Sequence, residues 1–315
     1  MYGRYVYTAA ATILNIIDDV AAIIAGQTNS ASLIAAVIPD TELDGTIATT
    51  WSIFDNATGS NNPRVVLRSQ ISDAPSKYKY LALGDNGSGV MSVKQYESWN
   101  DTANTGTNVV TATLTITPGT SKQITISANN KGCYVSRPTP DATTVCAGVV
   151  ITEFDRWDIW RTTSATYPDA VLGSAVSGWG TSTSNGAPTG RDGPYITASR
   201  GQVPRIKNGN AAGDLTAQVI NWCPIHMALW VGPATEGSFT KTQVRTADET
   251  VYYPMAPMAV GSYEKGFLGG MMSNYVDLYW TSRDVGNNFT EMVVSGATYV
   301  VNLIDGNNAL LIRKK

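Results

Sequence analysis

The spacing of apolar residues changes once along this chain, and that change limits the folds that the sequence can form. Residues 9–38 place Ile, Val and Leu at three-to-four spacing, whereas from Thr46 to Lys315 short alternating runs are separated by Gly, Asn, Pro and Thr. The first period is that of an amphipathic helix, and the second is that of a half-buried strand. The sequence therefore predicts a mainly β protein, with antiparallel β-sandwich-like domains and a short N-terminal helical segment.

Two helices are predicted in the N-terminal segment. The first covers residues 9–25, stops at Gly26 and carries one apolar stripe: Ile13, Ile16, Ile17, Val20, Ile23 and Ile24. The second starts at an Asn29 or Ser30 cap and ends at Pro39. Because helices this short are marginal alone in water, the stripe must pack on something. It packs either on the β body of its own chain or on a neighbouring subunit, through an assembly contact made by Ile13, Ile17, Val20 and Ile24.

Shifts in composition divide the chain into four predicted segments. They are a helical assembly segment at 1–40, a β-sandwich domain at 41–160, a Gly-rich loop or linker at 161–213 and a second β domain at 214–315. Within the sandwich, strands are predicted at 65–71, 78–83 and 90–96. Hairpins are predicted where alternating runs flank a turn, at 110–116 with 124–128 and at 299–304 with 309–312.

Charge and cysteine usage exclude several functional classes. Charged residues make up 15% of the chain, against roughly 25% in an average protein, and the net charge is −3 with scattered basic residues. A nucleic-acid partner is therefore not expected. Asp18 and Asp19 interrupt the longest apolar stretch, so no membrane span is predicted. The three cysteines are odd in number and irregularly spaced, which predicts reduced thiols and synthesis in a cytosol.

The histidine and cysteine residues offer two weak alternatives for chemistry. His226 is the only histidine, and Cys223 precedes it by three positions, as in a nucleophile pair. Together with Cys133 and Cys146, these residues also have the composition of a Cys3His zinc site. The pair lacks an oxyanion-hole signature, and the two other cysteines lack the tight spacing of zinc ligands. The sequence therefore predicts a structural histidine, with no metal and no cofactor.

The segment from Glu153 to Trp160 is the most suggestive local cluster of polar and aromatic residues. Carboxylates such as Glu153 and Asp158, flanked by tryptophans, are typical of a glycoside hydrolase. The same tryptophans, Trp157 and Trp160, would equally serve as stacking platforms for a sugar that is not hydrolysed. A packed strand with one polar face requires neither activity, and it is the simplest interpretation. No catalytic residue is therefore predicted.

The Met1 start, the helical N-terminal segment, the Thr-, Asn- and Gly-rich strands and the closing hairpin of residues 299–315 together resemble structural proteins of tailed-bacteriophage virions. The resemblance extends over the whole chain and includes no short diagnostic motif. It implies a non-catalytic virion component, made in the host cytoplasm, that assembles in multiple copies in the tail, baseplate or neck or on the capsid exterior. Its implied partners are further copies of itself and other virion proteins.

On this hypothesis, residues 1–40 dock on a neighbouring subunit and residues 161–213 become ordered against partners. Deletion of residues 1–40 is then expected to leave a folded β body that no longer assembles. The alternative from another functional class is a receptor- or glycan-binding module of a fibre or adhesin. It would contact a host surface glycan through Trp157, Trp160 or Trp179.

Overall fold

The computed structural model of the chain describes the N-terminal half almost continuously and the C-terminal half as separate strands. The described residues are 2–7, 11–27, 36–37, 50–72, 74–96, 98–107, 109–116, 123–136, 148–153, 170–175, 196–197, 221–224, 244–245, 251–252, 258–262, 266–271, 278–282, 287–294, 296–303 and 308–314. No helix in these ranges has the length and apolar content that a bilayer crossing requires.

The described ranges form one helix and twenty-three strands. In chain order the first elements are β1 (Tyr2–Tyr7), α1 (Ile13–Ile24), β2 (Ala36–Val37), β3 (Ser52–Asp55), β4 (Val65–Ile71), β5 (Ala74–Asp85), β6 (Val90–Tyr96), β7 (Ser98–Asn100), β8 (Thr105–Thr107), β9 (Val110–Thr115), β10 (Gln123–Ala128), β11 (Gly132–Ser136) and β12 (Gly148–Glu153). They continue with β13 (Ala170–Ala175), β14 (Ile196–Thr197), β15 (Asn221–Pro224), β16 (Val244–Arg245), β17 (Val251–Tyr252), β18 (Met258–Ser262), β19 (Gly266–Met271), β20 (Leu278–Ser282), β21 (Glu291–Val294), β22 (Ala297–Leu303) and β23 (Asn308–Arg313).

These strands pair antiparallel in three larger sheets and two short ribbons. The largest sheet has ten strands in the order β19-β18-β15-β14-β13-β12-β11-β10-β1-β2. A five-stranded sheet has the order β3-β4-β5-β6-β9, and a four-stranded sheet has the order β20-β23-β22-β21. β7 pairs with β8, and β16 pairs with β17. The predicted mainly β, antiparallel fold with a short N-terminal helix is confirmed.

One hydrophobic core joins the five-stranded sheet, part of the ten-stranded sheet and α1. Inward residues of β4, β5, β6 and β9 face those of β1, β10, β11 and β12, as in a sandwich. The five-stranded sheet contributes Val65, Leu67, Leu81, Leu83, Met91, Val93 and Leu114, and the ten-stranded sheet contributes Tyr5, Tyr7, Ile124, Ile126, Ala128, Cys133, Val135, Val149 and Ile151. Helix α1 contacts strands of both sheets.

The apolar stripe of α1 fills this core. Ile17, Val20 and Ile24 are at most 1% exposed, and the half-buried Ile13 packs against the same cluster. Between the two alternatives for the stripe, the structure shows packing on the chain's own β body. The assignment of Ile17, Val20 and Ile24 as an assembly contact is therefore corrected, because apolar side chains already removed from water have no further surface to offer a partner. For the half-buried Ile13, the assembly contact stays a prediction.

Both ends of α1 have the caps that its sequence encodes. Thr12 Oγ1 accepts a hydrogen bond from Asn15 N at 3.2 Å, and Asn15 Oδ1 accepts one from Thr12 N at 3.4 Å, which forms a capping box. At the other end, Gly26 has a φ of 85°, and Gly26 N and Gln27 N donate to the carbonyls of Ile23 and Ala22. This pattern is a Schellman motif, in which glycine takes the left-handed position. The helix is therefore defined locally as well as by packing.

The N-terminal cap gives the first testable prediction. Thr12→Ala should lower the free energy of unfolding by about 1 kcal/mol, because the amide hydrogen of Asn15 loses its acceptor. Thr12→Ser keeps the hydroxyl and is the matched control, with an expected change near zero. Urea unfolding of the two variants checks this, and equal losses in both would show that the hydroxyl has no capping role.

The second predicted helix is contradicted at its C-terminal end. Ala36 and Val37 form the edge strand β2, which pairs with Tyr7 and Val6 of β1. The open edge of β1 offers main-chain hydrogen bonds to this apolar segment, which includes the β-branched Val37. Strand pairing is therefore more stable here than a short helix, which is marginal in water. The other residues of that prediction, 29–35 and 38–39, lie outside the described ranges.

Residues 2–7 form β1 inside the ten-stranded sheet, although segment 1–40 was predicted to be helical. Since β1 pairs with β10 on one side and β2 on the other, removal of residues 1–40 would open that sheet as well as the core. The expectation that deletion leaves a folded β body is at odds with this arrangement. We now expect the deletion to abolish folding.

The hairpin predicted from residues 110–116 and 124–128 is wrong, although both of its strands exist. β9 pairs with β6 in the five-stranded sheet, and β10 pairs with β1 and β11 in the ten-stranded sheet. Leu114 of β9 and the following Ile116 enter the core from one sheet, and Ile124 and Ile126 of β10 enter it from the other. Alternation reports which face of a strand is buried and not which strand lies beside it.

Several other strand predictions are confirmed. β4 and β6 have the predicted bounds, and β22 pairs with β23 as the predicted C-terminal hairpin. Within the predicted Gly-rich loop, Ala170–Ala175 and Ile196–Thr197 are strands, since each completes main-chain pairing in the ten-stranded sheet. That sheet takes strands from all four predicted segments, while the division of the chain into domains stays a prediction.

Candidate functional site

The most polar part of the sandwich interior is a charged group at one end of the core. Strand β5 alternates so that Lys79 points inward, in line with Leu81 and Leu83. Its side chain has no exposed surface. Lys79 Nζ donates to Glu153 Oε1 at 2.6 Å and to the carbonyls of Gln70 and Asn130, each at 2.8 Å. All three N–H donors of the ammonium group are therefore engaged.

Glu153 ends β12 in the opposite sheet, so its pair with Lys79 joins the two layers of the sandwich. The same carboxylate oxygen accepts a hydrogen bond from Ser72 N at 3.0 Å. The Trp51 ring lies 5.3 Å from Lys79 Nζ, and Trp51 Nε1 donates to the carbonyl of Asn129 at 2.9 Å. Trp51, Lys79 and Glu153, with the 129–130 turn, are named the inter-sheet cluster below.

Burial is the main cause of the pKa shifts in and beside the inter-sheet cluster. Desolvation lowers the pKa of Lys79, while the hydrogen bond to Glu153 and its charge oppose that shift. Desolvation also raises the pKa of the neighbouring buried thiol, Cys133, to about 12, against a smaller opposing effect of Lys79. A buried ammonium and carboxylate tolerate this environment because each compensates the other and every remaining donor of the lysine has an acceptor.

Because the inter-sheet cluster is buried, a substrate cannot reach its charged groups. Glu153, the carboxylate that the sequence offered for glycoside hydrolysis, is 5% exposed and hydrogen-bonded to Lys79. A general acid or nucleophile must reach the scissile bond, and this carboxylate lies within the sandwich instead. Its proposed companion Asp158 lies outside the described residues. The arrangement suits a structural link between sheets.

A second feature lies on the outer face of the five-stranded sheet. Phe54 of β3, Arg68 of β4 and Tyr78 and Tyr80 of β5 project there from three adjacent strands. The Arg68 guanidinium carbon lies 4.0 Å from the Phe54 ring centroid and 4.9 Å from that of Tyr78. Phe54 and Tyr80 have ring centroids 5.8 Å apart. These four residues are named the arginine–aromatic surface.

The β7–β8 hairpin covers the neighbouring part of the same face. Trp99 packs on Tyr96 with ring centroids 5.0 Å apart, and Trp99 Nε1 donates to Asp55 Oδ2 at 2.7 Å. Gly106 lies so close to the Tyr96 ring that an added Cβ would meet a ring atom at 2.2 Å. Only glycine permits this approach. The hairpin therefore buries Tyr96 and leaves Tyr78, with 38% of its surface exposed, open to solvent.

A cavity of about 400 Å³ lies between α1 and the residues around the start of β4. It is lined by Asp18, Asp19, Gln27, Asn56 and Arg64, among others. Arg64 Nε and Nη2 donate to the two carboxylate oxygens of Asp18 at 2.6 and 2.5 Å. This forked pair, about 30% exposed on each side, fixes the helix against the start of β4.

The other residues singled out in the sequence are placed as follows. Trp157, Trp160, Trp179, Cys146 and His226 lie outside the described ranges. Cys223 belongs to β15, and Cys133 is a free, buried thiol in β11. Within the part of the chain that the structure describes, no three His, Cys, Asp or Glu residues are grouped closely enough to hold a metal ion.

Sequence reasoning missed Lys79 and Arg68, although each had a signal. Lys79 shares its parity with Leu81 and Leu83 in the predicted strand, so the alternation already assigned it to the buried face. Arg68 alternates to the face opposite Leu67 and shares that face with Tyr80, its partner in the β4–β5 register. No spacing in the sequence reveals Glu153 as the partner of Lys79, since they are 74 residues apart.

Comparison with known proteins adds no relative to this description. No protein-family model matches the chain, and no curated protein matches it.

The buried thiol gives a prediction for alkaline pH. The folded-state pKa of Cys133 is raised above its ordinary 9.0, so the native thiol stays protonated while the unfolded one ionises. The stability this provides is complete below pH 9 and is lost as the pH rises towards 12. Cys133→Ala should remove a slope of up to about 1.4 kcal/mol per pH unit.

Urea unfolding at intervals between pH 8 and 10.5 measures that slope. The alanine variant loses some packing at every pH, so the slopes are compared and not the absolute stabilities. Burial also raises the pKa of Tyr5 and Tyr7, which leaves a residual slope at the upper end, and Lys79 acts with the opposite sign. Identical slopes in the two proteins would show that Cys133 ionises as readily in the folded state as in the unfolded one.

Proposed function

We propose that this chain is a non-catalytic structural component of a tailed-bacteriophage virion, which assembles in multiple copies in the tail, baseplate or neck or on the capsid exterior. The observation that carries the non-catalytic part is the position of Glu153. The most suggestive carboxylate in the sequence is buried, ion-paired with Lys79 and used to join two sheets. The resemblance of the sequence to virion proteins supports the rest.

The described fold is compatible with a part that must keep its shape outside a cell. The N-terminal helix and strand are integrated into the core, and a buried ion pair links the two layers. Removal of either charge would leave the other uncompensated, so the pair favours one arrangement of the sheets. On this proposal, contacts between copies involve surfaces other than the apolar stripe of α1.

Light scattering of the full-length protein over a range of concentrations, with negative-stain imaging, tests the proposal. A discrete trimer, hexamer or ring would support assembly in multiple copies, because closed symmetric oligomers are the usual form of such parts. A particle of 33.6 kDa at every concentration would contradict self-assembly.

A second function, binding of a receptor or glycan, is favoured by one specific observation. The arginine–aromatic surface presents exposed ring surface beside a cationic side chain. The three tryptophans first considered for this role are outside the described ranges, so this surface supports the hypothesis from different residues. The hydrolase hypothesis has no comparable support, because Glu153 is enclosed.

A further inference from the structure

Two aromatic rings contact the guanidinium of Arg68. The rings of Phe54 and Tyr78, on the strands to either side, lie within 4.0 and 4.9 Å of its central carbon. Contact with a ring face uses the π face of the guanidinium and leaves its N–H edges in plane. Because two rings contact this side chain, its fork of hydrogen-bond donors should lose less conformational entropy on binding than that of an arginine without such contacts.

No carboxylate of the described chain pairs with this fork. Asp55, the described carboxylate next to Phe54 on β3, is already engaged, since Oδ1 accepts from Ala57 N and Oδ2 accepts from Trp99 Nε1, both at 2.7 Å. Gln70, the next outward residue along β4, donates to the carbonyl of Pro75. Arg68 thus carries a positive charge with ring contacts but without an anionic partner among the described residues, and a planar carboxylate matches its donor geometry.

The residues around Arg68 indicate which kind of carboxylate-bearing ligand fits this surface. Tyr78 is 38% exposed and offers a flat ring beside the guanidinium. A uronic-acid residue combines a carboxylate with a rigid ring that has an apolar C–H face. The carboxylate matches the guanidinium of Arg68, and the C–H face matches the ring of Tyr78. The carboxylate of an aspartate or glutamate side chain is carried on a flexible chain without such a face. In addition, β4 is paired on both sides, which leaves no main-chain groups for an added peptide strand.

We propose that Phe54, Arg68 and Tyr78 form a binding site for an acidic saccharide, with Arg68 hydrogen-bonded to a uronate carboxylate and Tyr78 stacked against the sugar ring. This site is separate from the inter-sheet cluster and does not depend on the assembly proposed above. It also does not involve the tryptophans that the sequence suggested for glycan contact.

Calorimetric titration of the full-length protein with tetragalacturonate tests the site. We expect binding that Arg68→Gln weakens at least tenfold and that Arg68→Lys also weakens, since lysine keeps the charge but loses the fork. Tyr78→Ala should weaken it several-fold. The matched control is Arg313→Gln, which removes an equal charge from an exposed position on β23 and should leave binding unchanged. Near-UV circular dichroism confirms that each variant is folded.

Three results would overturn the proposal. The first is the absence of tetragalacturonate binding by the wild-type protein at millimolar concentration. The second is equal weakening by Arg68→Gln and Arg313→Gln, which would indicate attraction by net charge alone. The third is equal affinity for tetraglutamate, because an acidic peptide with the same charge would then satisfy the surface without a sugar ring. Neutral maltotetraose, which lacks the carboxylate, should bind more weakly than tetragalacturonate.

Discussion

Lys79→Met should lower the free energy of unfolding by about 3–5 kcal/mol, because it removes one partner of a buried ion pair. The substitution keeps an apolar chain of similar length but removes the ammonium group. Glu153, whose side chain is 6% exposed, would then be a buried carboxylate without its cation. Urea unfolding followed by tryptophan fluorescence measures the loss.

The double variant Lys79→Met with Glu153→Gln is the control for this prediction. It removes the uncompensated charge and keeps an oxygen that can accept from Ser72 N. We expect it to recover part of the lost stability, though not all, because the carbonyls of Gln70 and Asn130 still lack their donor. Glu153→Gln alone completes the comparison. If the loss of stability in the double variant equalled the sum of the losses in Lys79→Met and Glu153→Gln, the pair would have no coupling energy and the inter-sheet cluster would not act as a unit.

Ile17→Ala should cost about 2–5 kcal/mol, since it removes three buried carbon atoms from the centre of the α1 contact with both sheets. Ile17 has no exposed surface, and it lies on the stripe that the sequence left open between core and subunit contact. The measurement is urea unfolding at two protein concentrations that differ at least tenfold. The loss should be the same at both.

Ile13→Ala is the matched control, because Ile13 lies on the same stripe but is only partly buried. It should cost clearly less than Ile17→Ala. Two results would instead indicate that the stripe is a subunit contact. One is a loss of unfolding free energy for Ile17→Ala that depends on protein concentration, and the other is an altered oligomer with unchanged stability. The comparison therefore separates the two alternatives that the sequence could not distinguish.

Local patterns in the sequence predicted those features that depend on neighbours along the chain. The three-to-four spacing and the stop at Gly26 predicted α1, whose bounds lie within the predicted 9–25, and Thr12 adds a local cap that was not predicted. Alternation placed β4 and β6 correctly, and Asp85-Asn86-Gly87 forms the turn between β5 and β6, with Asn86 N donating to the carbonyl of Val90. Each of these signals is contained within a few residues of the structure that it determines.

Pairing between distant segments was not predicted in the same way. The alternation at 110–116 and 124–128 was correct for burial but wrong for partners, since β9 and β10 lie in different sheets. Likewise, an apolar pair at Ala36 and Val37 became a strand only because β1 supplied an open edge. A period in the sequence fixes the buried face of an element, whereas the neighbour on that face depends on how the whole chain closes its core.

By itself, the sequence of this protein determined the fold class, the helix α1 with its stop at Gly26 and the buried face of several strands. Only the tertiary structure decided that the stripe of α1 fills its own core, that Lys79 meets Glu153 across the sandwich and that Arg68 lies between two rings. The physical reason is the distance along the chain over which each interaction acts. Periodicity and capping are local, but a buried charge or a stacked guanidinium takes its energy from groups that only the completed fold brings within a few ångströms.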